Sequence, residues 1–300
     1  MAISICDVHT DSSGKDKTSY GSLAFPISCY LDDLTKMNVN LHWHDEFEFI
    51  YITEGNIYVQ VENQKFLMEE NSSILINMNI LHSVEKGTKE KSTLRSLVFN
   101  SSIIADSSES VFWQKYIQPF KNARNIDFIY LDGGVDWHKK LIKLMDSAWK
   151  NMAAEDDDYE NQVRFYVTSA FHLLLSENQI KSDSSTSSQK QILRKMQIKK
   201  LITYINENYT RAINLKALSK QCDISESTCL RLFNEFTKKT PIQYIKQLRI
   251  EKANELLKST DLSITEIALS VGFNDVSYFI KNYKEIFGKT PKKERSKKYN

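Results

Sequence analysis

The chain has 300 residues, 41% of them hydrophobic, a length that suits two domains with a core each. It holds no apolar run of about 18 residues, which excludes a membrane-spanning helix. Its first residues, MAISICDVHTDSSGKDK, lack the basic start and apolar stretch of a secretion signal, so a cytoplasmic location is expected. The net charge of +2 conceals an asymmetry: residues 190–300 carry 23 basic and 11 acidic side chains, and residues 1–189 carry 17 and 27. A basic C-terminal half beside an acidic N-terminal half suits a nucleic-acid reader with a separate sensor, although the same lysines also fit a solvated surface. The cysteines, Cys6, Cys29, Cys222 and Cys229, show no C-x-x-C pair and read as inert thiols of a reducing compartment.

Residues 1–20 are polar and patternless, as in a flexible arm. Residues 21–133 are strand-like. Phe47, Phe49 and Tyr51 alternate with polar partners, as do Ile57, Val59 and Val61 after an expected turn at Glu54-Gly55-Asn56. Further apolar runs lie at Phe66 to Met68, Ile74 to Ile76, Leu94 to Phe99 and Ile126 to Leu131. Short strands at this spacing predict an antiparallel barrel or jelly roll. Within it, His42 and His44 are two residues apart and Glu48 is four further on, so on a strand all three face one side. With Gly55 and the later His82 they make H-x-H-x3-E-x6-G followed by a distant His. This resembles the metal motif of the cupin fold, whose four side chains hold one divalent ion. The second half of that motif is degraded, with Asn71-Ser72-Ser73 in the glycine region and Asn77 where proline is common.

After Gly133-Gly134 the period becomes helical. Trp137, Leu141, Leu144, Met145, Ala148, Trp149 and Met152 form one stripe. Following the acidic break at 154–158, Val163, Tyr166, Val167, Ala170, Phe171 and Leu174 form a second. His172 is expected to pack with that stripe. Residues 181–189 are a Ser-rich linker, and a helix over 190–208 leads into the last domain.

Residues 190–300 contain one pattern twice, at an offset of 49 residues before its turn and 50 after it, which predicts two helix-turn-helix units. In the first, Leu215 and Leu218 start a short helix, Ser225 caps the next, and Cys229, Leu232, Phe233 and Phe236 form its buried stripe. In the second, Ser263 and Glu266 make a capping box, Gly272 sits in the turn, and Val276, Phe279 and Tyr283 follow. A long helix joins them, capped by Thr240 with Pro241 first, and its inner face is expected at Ile242, Ile245, Leu248, Ala253, Leu256 and Leu257.

This stretch resembles the DNA-binding domain of the AraC/XylS transcription regulators. The resemblance rests on Ser225, Leu232-Phe233, Thr240-Pro241, Tyr244-Ile245, Arg249, Ala253, Leu256-Leu257, Ile264, Ile267-Ala268, Gly272-Phe273, Tyr278-Phe279, Gly288 and Thr290-Pro291. It departs from the family at Asn282-Tyr283-Lys284 and Cys229. The implied chain is an α+β multidomain protein: a cupin-like antiparallel β-barrel with two helices after it, then an all-α domain of two helix-turn-helix units joined by a long helix. Its function would be sequence-specific transcription regulation, without enzyme activity, controlled by a small-molecule effector such as a sugar.

Removing the buried stripe of the first unit leaves Ser227, Thr228, Leu230 and Arg231 as base-contact candidates, and the matching positions of the second unit are Val276, Ser277, Ile280 and Lys281. Lys238, Lys239, Lys284 and Lys289 are phosphate candidates. The two recognition helices would sit about one DNA turn (~34 Å) apart on double-stranded DNA. The helices over 134–180 resemble the family's dimerisation element and imply a homodimer, unless they only cover the barrel; activation would add a contact with RNA polymerase. His42, Trp43, His44, Glu48 and His82 are the effector candidates. The four ionisable ones have three readings: a polar wall for the effector, a divalent-metal site, or a structural cluster, since AraC-type sensors often keep such residues without metal. A metal-dependent cupin enzyme fused to a DNA-binding module is the alternative function, and no cofactor is otherwise expected.

Overall fold

A computed structural model describes residues 3–6, 8, 15–36, 38–123, 126–177 and 189–296. These form two compact units, divided between Ile192 and Leu193. The expected linker lies outside the described residues as far as 188, and Gln189 already opens a helix.

The first unit is built on strands β1 (Ile3–Ser4), β2 (Ile27–Asp33), β3 (Val39–His42), β4 (Phe47–Val61), β5 (Gln64–Glu69), β6 (Ser73–Ile76), β7 (His82–Lys86), β8 (Ser92–Phe99) and β9 (Phe128–Leu131). Their hydrogen-bonded order is β1-β2-β8-β4-β6-β9, with β5 and β7 also on β4 and β3 on β7. β4 serves both sides of the barrel. Its first part pairs with β6 and β8, and from Asn56 onward it pairs with β5 and β7.

The expected turn at Glu54-Gly55-Asn56 is therefore corrected: the strand bends there without reversing. Its register against β8 slips between Ile52 and Glu54, a β-bulge. Gly55 has φ +81°, and a Cβ on it would fall 1.9 Å from the Lys91 carbonyl oxygen. Glycine is needed here for close backbone approach within a bent strand. Asn71, in the region where the cupin motif has glycine, adopts φ 65°, a conformation Asn tolerates better than most residues.

The simple alternation expected for β4 is also modified, because both of its faces are buried. Phe47 and Phe49 pack outward beneath helices, while Ile50 and Ile52 fill the barrel interior. The outer layer comprises a π-helical turn (Trp113–Ile117), α1 (Gln118–Asn122), α2 (Asp136–Ala154) and α3 (Tyr159–Ser176). Glu155 (φ 53°) and Asp158 (φ 66°) take left-handed conformations in the acidic break between α2 and α3. The two predicted stripes are the buried faces of these helices, and both cover the sheet. Trp149 Nε1 donates to the Tyr30 carbonyl oxygen at 3.0 Å, tying α2 to β2. His172, expected in the stripe, is exposed: it follows Phe171 by one position, about 100° around the helix.

The described part of residues 1–20 is packed rather than free. β1 runs parallel to β2. Cys6 N donates to buried Asp32 Oδ1 at 2.7 Å, Asp16 N donates to the Trp43 carbonyl at 2.9 Å, and Tyr20 is buried. Hydrogen bonds hold this segment, and they leave no apolar period for sequence reading to detect.

The second unit contains α4 (Gln189–Asn208) from Leu193 onward, then α5 (Leu215–Gln221), α6 (Glu226–Thr237), α7 (Pro241–Ser259), α8 (Ile264–Ser270), α9 (Val276–Phe287) and α10 (Pro291–Ser296). Asn214 caps α5 and Ser263 caps α8, 49 positions apart; Ser225 caps α6 and Asp275 caps α9, 50 apart. Thr240 caps α7 in a full capping box with Gln243. α7 buries Ile245 and Leu248, then Ile250, Ala253 and Leu257, the last three against α8 and α9. Ile242, expected on the inner face, is 71% exposed because it lies outside both stripes, and Ile250 takes a core place instead. Arg249 Nε and Nη2 donate to the carbonyls of Tyr209 and Arg211, each at 2.7 Å, which fixes the chain after α4.

Candidate sensor site and nucleic-acid interface

Inside the barrel, strand geometry brings His42, His44, Glu48 and His82 together. β3 ends at His42 and β7 begins at His82, and these two are direct cross-strand partners. Glu48 projects from the same face of β4 as Ile50. The four side chains are 1%, 2%, 5% and 1% exposed, and one ligand-capable atom from each lies within 4.8 Å of the others.

The orientation of the rings is set by backbone carbonyls. Nδ1 of His42 faces Asn40 O at 2.7 Å, Nδ1 of His44 faces Glu46 O at 3.2 Å, and Nδ1 of His82 faces Ile80 O at 2.8 Å. A carbonyl only accepts, so each Nδ1 carries its proton and donates, and in a neutral ring the lone pair is then on Nε2. His82 Nε2 lies 2.8 Å from Glu48 Oε2 and His44 Nε2 lies 3.4 Å from the same oxygen. The His44 nitrogen is buried without a hydrogen-bond partner. Burial, with the neighbouring His82 and His44, pushes His42 down to about 3. Burial alone would raise the Glu48 carboxyl; the hydrogen bond with His82, the close approach of His44 at 3.4 Å and the charge of both rings outweigh it and hold the group below the usual carboxylate range.

Tyr20 closes this end of the barrel. Its ring meets His44 edge-on at 5.1 Å, and its hydroxyl donates to Asp16 Oδ2 at 2.5 Å. Trp43 is buried, and strand alternation puts it opposite His42 and His44, so it does not join the cluster. Asp32 was not legible as a neighbour. Burial, with some effect of Glu48, raises it to about 6, and its Oδ2 is buried without a hydrogen-bond partner.

In the second unit the N-terminal turns of α6 and α9 carry the candidate reading faces. Ser227, Leu230 and Arg231 are exposed and Thr228 is half-buried. Arg231 Nη2 donates to Thr228 Oγ1 at 3.3 Å, one helical turn back. On α9, Ser277 and Lys281 are exposed, whereas Val276 and Ile280 lean on the core of that unit. The cap-to-cap offset of 50 makes Tyr278 the counterpart of Thr228, and Tyr278 is 53% exposed. Sequence reading passed over it by counting Val276 in its place. Lys238 and Lys284 are exposed; Lys239 and Lys289 are half-buried, and Lys289 is ion-paired with Glu294.

Two family models match this architecture. One, described as an AraC-like ligand binding domain, covers residues 25–166; the other, a helix-turn-helix domain, covers residues 218–297. The chain belongs to the AraC/XylS family of transcription regulators. Among its relatives is the uncharacterized HTH-type transcriptional regulator YdeC of Bacillus subtilis (strain 168), 27% identical over 286 residues, which are 94% of this chain and 95% of YdeC. The Msm operon regulatory protein of Streptococcus mutans is 35% identical over 99 residues, 33% of this chain and 34% of that protein. Among solved structures, ToxT of Vibrio cholerae O395 aligns over 89% of this chain and 96% of its own at 14% identity, with a TM-score of 0.45. As a member of the AraC/XylS family, the protein is a DNA-binding transcription regulator with a cupin-like ligand-binding domain and a helical DNA-binding domain. No helix among its described residues is long and apolar enough to cross a membrane.

Proposed function

We propose that this regulator senses a small ligand in its N-terminal barrel and converts occupancy into a change in operator affinity. The observation that carries the reading is the quartet of ionisable side chains, each at most 5% exposed, inside a barrel on the same chain as two helix-turn-helix units. Burying such groups is costly unless something pairs with them, so the cluster is a natural receiving site. The protein acts as a regulator in the cytoplasm rather than as a catalyst. Coupling requires only that the ligand bind two states of the chain unequally.

Each recognition helix would enter the major groove by its N-terminal turn, so one chain reads two successive segments of double-stranded DNA. Arg231 is the main base reader of the first helix, because its planar fork can donate to both O6 and N7 of guanine. Ser277, Tyr278 and Lys281 supply the second helix with weaker base contacts, while Lys238 and Lys284 meet phosphates. Arg231→Ala is expected to weaken operator binding by about 1–3 kcal/mol and to relax preference at one base position. Binding-site selection from random DNA with both proteins measures this; identical selected motifs and equal affinities would remove Arg231 from the reading face.

The barrel unit would form the homodimer through the outer face of α3, where Phe165 is 62% exposed beside Phe112 at 50%. Phe165→Ala should shift sedimentation toward monomer without lowering the melting temperature of the monomer. Activation would then add a contact with RNA polymerase. The sensor reading is tested with full-length protein and its selected operator, against sugars, other metabolites and divalent metal ions. At least one is expected to change operator affinity by about 5–150-fold. A panel that moves neither affinity nor melting temperature would reduce the barrel to a dimerisation scaffold.

A further inference from the structure

We infer that the groove between the π-helical turn and α3 is a second ligand site, outside the barrel, for a small organic acid with an apolar body. The groove has a volume of about 550 Å³, within the range of small-molecule sites. One wall is a stripe of α3. Arg164, Phe165, Thr168, Ser169 and His172 line it at spacings of three or four, so they share one face of the helix over about 12 Å. The other wall is aromatic. Phe112 and Tyr116 line it with near-parallel rings, centroids 6.1 Å apart and 20° between planes. His172, at the far end of the stripe, meets Tyr116 edge-on at 6.3 Å.

The polar groups on the α3 side are unused. Arg164 is exposed and makes no ion pair or hydrogen bond among the described residues, whereas Arg95 of the same unit pairs with Asp146 at 3.0 Å. Thr168 and Ser169 are half-buried, and their hydroxyls make no hydrogen bond among the described residues. A helical hydroxyl commonly bonds back to a carbonyl one turn earlier, as Ser176, Thr203, Thr237 and Ser259 do here. No Asp or Glu lines the groove. Asp158, just before α3, is engaged by Asn161 Nδ2 at 2.5 Å. A cationic, donor-rich face thus stands beside an apolar one in the acidic half of the chain. A carboxylate takes two parallel hydrogen bonds from a guanidinium, and a ring or short chain attached to it covers Phe112 and Tyr116. An inorganic anion would leave the aromatic wall in water, and a neutral hydrocarbon would leave Arg164 unused, so the ligand needs both parts. None of the residues lining the groove belongs to the buried quartet. Occupancy has a consequence that rests on the homodimer reading above: Phe112 and Phe165 are the rings of that face, so an acid in the groove competes with the partner subunit and favours the monomer.

The test titrates full-length protein by calorimetry with benzoate, 3-phenylpropionate and octanoate, and with the primary amide of each. At least one acid should bind at one site per chain, about tenfold or more tighter than its amide. Inorganic phosphate should not displace it; displacement would reduce the site to a surface anion spot. Arg164→Gln should weaken that acid by about 10–150-fold, the range for hydrogen bonds to a charged group. Phe112→Ala should weaken it while keeping the preference for acid over amide. Both side chains are exposed, and circular dichroism checks that the variants fold. Lys139→Gln, which removes an exposed cation on α2, should bind as wild type. Three acids that bind no more tightly than their amides would overturn the assignment. So would an acid whose affinity Arg164→Gln leaves unchanged, which places it elsewhere, such as in the barrel. Sedimentation velocity with and without the acid tests the assembly consequence separately. Arg164-dependent binding to a chain that is monomeric throughout keeps the site and removes the dimer reading. Binding to a dimer that persists at saturation keeps both and removes the competition between them.

Discussion

Phe171→Ala is expected to destabilise the N-terminal unit by about 3–5 kcal/mol, the range for truncating a fully buried phenylalanine. Phe171 is completely buried on α3, with ring centroids 5.0 Å from Phe47, 6.0 Å from Phe99 and 4.9 Å from Phe120. Those partners belong to β4, β8 and α1, so one side chain joins the helical layer to the sheet. Removing the ring leaves a cavity walled by three aromatic groups that cannot collapse without moving strands. Domains are commonly stable by only about 5–15 kcal/mol, so the variant should sit near its unfolding threshold. Urea denaturation followed by tryptophan fluorescence reads the loss, because Trp149 lies in the same cluster. A loss under about 1 kcal/mol would mean that α3 is a detachable element rather than a wall of the barrel. Phe165, six positions earlier and 62% exposed, is the control expected to leave monomer stability unchanged.

Gly272→Ala is expected to cost about 2–3 kcal/mol or more in the second unit, with most of its operator affinity. Gly272 has φ +91°, and an added Cβ would fall 2.7 Å from the Thr210 carbonyl oxygen and 3.0 Å from its Cα. A left-handed non-glycine backbone alone costs about 1–3 kcal/mol. The clash is with main chain, which no rotamer can relieve. The strained turn sets the angle between α8 and α9, so the second recognition helix loses its place before the unit unfolds. Gly288→Ala separates the two causes. Gly288 has φ +70° at the end of α9 and nothing within 4 Å of its would-be Cβ, so only the conformational cost of about 1–2 kcal/mol applies. Hydrogen exchange should show lost protection over α7 to α9 for Gly272→Ala, with the barrel strands unchanged. Equal effects of the two substitutions would show that the approach of Thr210 is not limiting.

The second unit was legible in the sequence because its determinants are local. Helix caps at Ser225, Thr240 and Ser263 act within three or four residues. Stripes such as Cys229, Leu232, Phe233 and Phe236 repeat at helical spacing, and the duplication let one unit check the other. Its failures were failures of phase. Ile242 is apolar yet exposed, and Ser277 and Tyr278, rather than Val276 and Ser277, match Ser227 and Thr228, because a stripe shows which residues share a face but not where that face ends.

The barrel was legible only in outline. Apolar runs and the H-x-H-x3-E spacing by themselves determined that strands exist and that His42, His44 and Glu48 share a side. Only the tertiary structure decided that β4 runs through Gly55, that His82 pairs across β3 and β7 with His42, which face the helical stripes cover, and that the described part of the N-terminal segment is packed. These depend on contacts between residues tens of positions apart, and pairing across such distances is selected by hydrogen bonds and cavity shape, which have no sequence period. The approach of His44 and His82 to one oxygen of Glu48 belongs to the same class: it is defined by β3, the turn after it, β4 and β7 meeting at one point.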